Sequence, residues 1–294
     1  MIKRIVEISN PARLSLKNQQ MVVDREGFES ATVPIEDIGV LILDHPQISH
    51  TQGLLAACSE NNVSVLICNM KHMPSGILLS LEGNSLHSRT IAQQVQITEP
   101  IRKRLWQTIV RAKIREQAKV LLHATGDNAP LPAYAAKVKS GDPDNLEAQA
   151  ARIYWQKLFG QTFCRDPDVS GINSLLNYGY AVMRAAVARA IVGPGLHPAL
   201  GLHDHNQYNS CCLADDLIEP LRPAVDLKVY TVCNELYGEP MLTPENKRAL
   251  LEILSKECTI NDQRLPLMTS LHHYAASVRK VICGECKRVE IPAL

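Results

Sequence analysis

A chain of 294 residues that is 46% apolar and 21% charged can bury a large core, which excludes a disordered polyelectrolyte, and a formal charge of +1 excludes a protein that coats nucleic acid by bulk basicity. No apolar run approaches the roughly 18 residues that cross a bilayer, and the opening MIKRIVEISNPARL lacks an apolar signal core, so neither a membrane partner nor export is expected. Nine scattered cysteines, an odd number, suit a reduced cytoplasm better than a disulfide framework.

The first part of the chain reads as short strands. Residues 4–9 form one, and 13–17 with 20–24 form a hairpin around Asn18. Thr32 to Pro34 is brief. Residues 40–43 and 63–68 are β-branched apolar runs, the pattern of buried strands, with a helix over 51–59 between them and a last strand over 76–81. The polar EGNSLHSRT, 82–90, carries a Gly-Asn turn signal and reads as the start of a linker over 83–98. Helical periodicity then prevails: 101–124, 146–159, 174–191, 213–230, 244–256 and 271–282. Thr243-Pro244 is a helix start, and Pro220 and Pro223 should bend the helix that holds them. The expected fold is therefore α+β: a small β-rich domain over 1–82, the linker, and a larger all-α domain over 99–294 that holds the chemistry.

The densest chemistry lies in GLHDHNQYNSCCLADDLIEPLRPAVD, 201–226. Asp216 and Glu219 are three apart and share a helical face, where two carboxylates repel unless a cation lies between them. His203 and His205 precede them, and Glu147 stands upstream in DPDNLEAQAARIYWQKLFG. An imidazole with carboxylates from separate helices makes a mixed nitrogen and oxygen site, better suited to Mg²⁺ or Mn²⁺ than to structural zinc. Each residue also has a plain alternative. Glu147 near a helix start is favoured by the dipole, loop histidines are usually solvated, and Glu219 can simply pair with Arg222.

Over roughly 140–230 the segments DPDNLEAQAARIYWQKLFGQTFCRD, NSLLNYGYAVMRAAVARAIVGPGLHPALGLH, HNQYN and LADDLIEPLRP resemble the CRISPR spacer-acquisition integrase family, in its type II branch. The resemblance implies a metal-dependent DNA endonuclease and integrase that inserts short DNA fragments into a CRISPR array. It implies Glu147, His205 and Glu219 as catalytic metal ligands, with Asp216 beside them. The family often has a His where this chain has Asp204, which keeps His203 as a rival to His205. It further implies a homodimer paired through the β-rich domains, and a heterohexamer with a small second adaptation protein on double-stranded DNA. A metal-dependent DNA-repair nuclease and a non-catalytic helical DNA-binding scaffold are the alternatives.

The helix over 101–124 carries Arg102, Lys103, Arg104, Arg111, Lys113, Arg115 and Lys119 against Glu116. Such side chains contact phosphates without reading sequence, and Arg165 and Arg184 are further candidates. Cys283 and Cys286 form an isolated CxxC with no second pair at zinc spacing.

Overall fold

The computed structural model describes residues 3–81, 84–235 and 240–293. Met1, Ile2, Glu82, Gly83 and Leu294, which end the expected regions, lie outside them.

The N-terminal part holds two sheets. In the first, β1 (Arg4–Ile8) lies parallel to β5 (Ile38–Leu43), which lies parallel to β7 (Ser64–Cys68), and β8 (Pro74–Leu78) closes the edge antiparallel to β7. In the second, β2 (Ala12–Lys17) and β3 (Gln20–Asp24) form the expected hairpin, flanked by β4 (Ala31–Pro34) and a short β6 (Ile48–His50). Asn18 and Gln19 both take positive φ, the backbone of the tight turn whose twist matches paired strands. Helix α1 (Gln52–Glu60) is capped by the Thr51 hydroxyl, which accepts from the Leu54 amide.

All six residues of β5 are buried because each face of its sheet meets a different core. Leu41, Leu43 and Val65 pack with Leu14, Met21 and Leu54 beneath the second sheet. Val40, Ile42 and Leu66 belong to the large core of the helical part. A buried ion pair between Lys247 and Asp44 and a bond from the Tyr178 hydroxyl to Glu7 (3.2 Å) cross the same boundary. The two parts therefore share one apolar interface.

The segment expected to be a linker is mostly helix, α2 (His87–Val95). Its polar side chains suggested a loop, yet they anchor it. Gln94 is buried, donates to the carbonyls of His197 (3.0 Å) and Leu200 (2.9 Å), and accepts from the His197 amide (2.8 Å). Then come α3 (Glu99–Thr125), α4 (Leu131–Lys137), α5 (Leu146–Phe159) and α6 (Ile172–Val192). The bend expected at the prolines is real: α7 (Cys212–Ile218) gives way to a 3₁₀ turn, Glu219–Leu221, and then to α8 (Arg222–Glu235). Gly179 lets α8 close on α6, since a Cβ there would lie 2.5 Å from Val225 Cγ1. Helix α9 (Pro244–Leu251) starts at the Thr243 cap, as expected.

The C-terminal part is mostly helical but not all-α. Strands β9 (Glu257–Ile260) and β10 (Gln263–Pro266) form a hairpin before α10 (Leu267–Ile282). Asn261 and Asp262 at its turn again take positive φ, which short polar side chains tolerate best.

Candidate active site

Three helical elements bring Glu147 and Glu219 to one point. Glu147 lies in the first turn of α5, whose start is tied down by Asp142. One Asp142 oxygen accepts from the Leu146 amide and the other from the Glu147 amide, both at 3.0 Å. These are two of the donors that a helix start leaves without partners. Glu219 opens the 3₁₀ turn, where Pro220 ends the run of α7 and the chain packs on α3.

Between the two carboxylates stands Lys113, from the middle of α3. Its ammonium forms ion pairs with both Glu147 and Glu219. Burial works against the Lys113 charge, but Glu219 and Glu147 outweigh it and raise its pKa above the ordinary lysine value. Arg222 reaches back one turn to the other Glu219 oxygen at 2.8 Å. Burial likewise opposes the Glu219 charge, but Arg222 and Lys113 prevail and hold it at about 2. The cluster thus consists of two carboxylates and two cations that only together justify their burial.

A further layer supports it. The Arg222 guanidinium lies 4.5 Å above the Tyr180 ring of α6. Tyr180 and Tyr154 both donate to the buried carboxyl of Asp226, the Tyr154 bond at 2.9 Å. Tyr154 is seven residues beyond Glu147, two turns along the same face of α5. Burial pushes the Asp226 carboxyl up to about 7 although both tyrosines favour its charge.

Asp216 has a separate task. Its Oδ2 accepts from the amides of Leu202 (2.6 Å) and His203 (3.0 Å), and its Oδ1 from that of Asp204 (3.2 Å). Burial moves it up to about 7 against these three donors. Asp216 therefore holds the histidine loop in place, with both of its oxygens engaged by backbone amides. Gly201 is required at this loop, because a Cβ would collide with the Asp204 carbonyl and lie 2.9 Å from Cys212 Cβ.

The loop sets its two histidines apart. The His203 ring stacks on Trp106 of α3, centroids 4.2 Å apart and nearly parallel. Trp106 is seven residues before Lys113, on the same helical face. His205 lines a 360 Å³ cleft with Arg102, Asn206 and Gln207, near the start of α3. The His203 ring thus rests on the face of α3 that also carries Lys113, whereas His205 borders the cleft at the start of that helix. Among the described residues no three His, Cys, Asp or Glu side chains stand as a ready metal cluster.

The donors present nevertheless fit a hard divalent ion. Two carboxylates from separate helical elements already converge on one cationic group, the Lys113 ammonium, which meets Glu147 at Oε1 and Glu219 at Oε2. Oxygen donors of this kind are the set that Mg²⁺ and Mn²⁺ accept.

The family profile described as CRISPR associated protein Cas1 matches residues 6–252. The chain belongs to the Cas1 family. It is 37% identical over 294 residues to the CRISPR-associated endonuclease Cas1 of Neisseria meningitidis serogroup C (strain 8013), covering 99% of this chain and 96% of the relative. Its fold is similar to that of a casposase bound to integration product (TM-score 0.78, 18% identity, 99% of this chain and 93% of that one). It is also similar to a chain of a Cas6-RT-Cas1–Cas2 complex (TM-score 0.76, 18% identity, 96% of this chain and 35% of that one).

The basic residues of this Cas1 chain fall into two groups. Arg102, Lys103 and Arg104 lie at the solvent-facing start of α3, with Lys103 paired to Glu99 at 2.7 Å. Arg111, Arg165 and Arg184 are committed internally. Arg111 donates twice to the Val138 carbonyl, Arg165 to Asn173 (2.9 Å) and Asn177 (2.6 Å), and Arg184 to Asn209 and Asp215, both 2.6 Å. The CxxC sulfurs point to different partners, Cys283 to Gln93 (3.0 Å) and Cys286 to the Arg288 carbonyl (3.3 Å).

Sequence reasoning placed Lys113 among the DNA-contact cations, read Tyr180 as a polar group beside its helix with core or interface packing at least as good an account, and overlooked Asp142 and Asp226. One signal for Lys113 was present: it falls at the same helical position as Trp106 and Ile109, on the apolar face of α3.

Proposed function

We propose that this Cas1 protein is a metal-dependent DNA endonuclease and integrase that inserts short DNA fragments into a CRISPR array. The observation that carries the reading is the convergence of Glu147 and Glu219, from separate helical elements, on a single cation position. Glu147, Glu219 and an imidazole of the 201–209 loop would hold Mg²⁺ or Mn²⁺. His203 is better placed for this than His205, and Asp216 serves by fixing the loop. The bound ion would supply charge neutralisation at the scissile phosphate and lower the pKa of a coordinated oxygen nucleophile.

The chain's own groups do the rest. Arg222 keeps Glu219 ionised and aimed at α3, Asp142 sets the start of α5, and Trp106 orients His203. In strand transfer a DNA 3′-hydroxyl attacks phosphorus, a new phosphodiester forms, and the leaving 3′-oxygen takes up the proton. Water in place of the 3′-hydroxyl gives hydrolysis. No protein nucleophile takes part. Arg102, Lys103 and Arg104 would track the phosphates of double-stranded DNA. The likeness to a chain of a Cas1–Cas2 complex supports a Cas2-type second adaptation protein as partner. The reading adds a homodimer, and a heterohexamer with that partner in the cytoplasm.

The test is strand transfer of a short duplex into supercoiled plasmid carrying a repeat array, across a Mg²⁺ and Mn²⁺ series, with Glu147→Gln as control. Joined product that needs metal and Glu147 supports the reading. Cleavage without joining would make the protein a repair-type nuclease, and DNA binding alone would make it a scaffold.

A further inference from the structure

Lys113 is an unusual group to find inside a metal-binding carboxylate pair. It is a lysine only 8% exposed in the middle of α3, and its ammonium is shared by Glu147 and Glu219. Without it, the two carboxylates would face each other across a buried gap with Arg222 as their sole counter-charge, and like charges so placed repel strongly. The ammonium therefore does in this structure what a metal ion would do: it draws the two carboxylates to one point.

We propose that Lys113 is the resident counter-ion of the cluster. It holds Glu147 and Glu219 in register until a divalent ion arrives, and the ion binds only by displacing it. This rests on the proposed role of Glu147 and Glu219 as metal ligands. Lys113 is thus a positioning residue with a second consequence. Two carboxylates, Lys113 and Arg222 sum to zero charge, so a divalent ion that displaces the ammonium from the carboxylates, while the ammonium stays beside them on α3, leaves +2 at the site. That balances a phosphoryl centre whose charge grows toward −2 as the nucleophile adds. A cluster lacking Lys113 would hold the ion more tightly and balance the transition state less well. Metal affinity and turnover should then move in opposite directions, which a merely structural lysine would not produce.

The experiment is Mn²⁺ titration of the full-length protein without DNA, by calorimetry and by loss of the free-ion electron paramagnetic resonance signal, paired with thermal melting. Lys113→Met should bind Mn²⁺ at least ten-fold more tightly than wild type. It should melt below wild type without metal and gain more from Mn²⁺. Its strand transfer at saturating Mn²⁺ should fall. Lys113→Arg, which keeps the charge, should bind Mn²⁺ no more tightly than wild type. If Lys113→Met is unfolded alone, folding on Mn²⁺ addition supports the proposal and failure to fold overturns it. Equal or weaker Mn²⁺ binding by Lys113→Met, with binding still abolished by Glu147→Gln, overturns the counter-ion role alone. Undiminished binding by Glu147→Gln and Glu219→Gln overturns the ligand assignment beneath it.

Discussion

The carboxylate pair and the histidine loop are built by different means. Glu147 and Glu219 project from helical elements whose ends are fixed by Asp142 and Pro220, and their charges are answered inside the protein by Lys113 and Arg222. His203 and His205 sit on a loop whose backbone amides at 202–204 are gathered by Asp216, and their rings rest on α3 or border an open cleft. One half is preorganised with its charges paired. The other half has its backbone fixed and its imidazoles free of strong partners. A site assembled this way can keep its anionic half intact between turnovers and complete the ligand set from a loop.

The hardest test of this contrast is substitution on each side. Glu147→Gln and Glu219→Gln should each lower strand transfer by at least about 10²–10³-fold, the loss seen when one preorganised charge-stabilising group is removed. Of the histidines, one alanine variant should match that loss and the other should stay within a few-fold. Geometry names His203 as the sensitive one. If His205→Ala alone is inactive, the loop must swing its cleft side toward Glu219, and the order along α3 is misleading.

DNA binding should separate from both halves. Replacing Arg102, Lys103 and Arg104 together by Ala should weaken binding to unrelated duplexes about equally. It should also flatten the salt dependence of log K by up to about 3, near 0.9 for each phosphate no longer neutralised. Arg111→Ala, which removes the Nε–H and Nη2–H bonds to the Val138 carbonyl, should lower melting temperature instead. Equal loss of DNA affinity from Arg111→Ala would place that side chain outside the α3–α4 junction.

The loop can be disturbed without touching the carboxylates. Gly201→Ala forces a methyl group against the Asp204 carbonyl and Cys212. The expected cost is about 1–3 kcal/mol, as for other overpacked sites, which is a few degrees in Tm for a chain of this size. Strand transfer should fall further than stability does, because the loop leaves Asp216. Full activity in this variant would detach the histidine loop from the chemistry.

Much of this was legible in the order of residues. The N-terminal strands, the long helices, the bend at Pro220 and the pair Glu147 and Glu219 follow from periodicity, breakers and a family resemblance. What was not legible depends on contacts between distant segments. Gln94 looks like linker polarity until the carbonyls of His197 and Leu200 meet it. Lys113 looks like one more exposed cation until α5 and the 3₁₀ turn bring carboxylates to it. Asp216 and Glu219 share a face in principle, but the helix ends between them, and each faces a different partner. The two-domain reading also missed that β5 serves two cores, so residues 40–43 are buried by the helices as much as by their own sheet.

A last expected effect, read in stability rather than in activity, lies beneath the carboxylate pair, at Asp226. Burial holds its proton in the folded state up to about 7, against an ordinary aspartate value of 3.8. Between those values the native protein binds more protons at this position than the unfolded chain does. Stability contributed here is therefore fully present in acid and is lost as pH rises toward 7, at up to about 1.4 kcal/mol per pH unit, with no further change above. Asp226→Asn removes that dependence while keeping the shape against Tyr154 and Tyr180. Asp216, with the same direction of shift, is present in both proteins and cancels from their difference. The melting temperature of wild type minus that of Asp226→Asn should decline from pH 4 to 7 and then level off. A difference that stays flat across that range, or that grows with pH, would mean the Asp226 carboxyl is ionised in the folded protein. The support under Arg222 would then be a charged one, with Tyr180 bonded to an anion instead of a neutral acid.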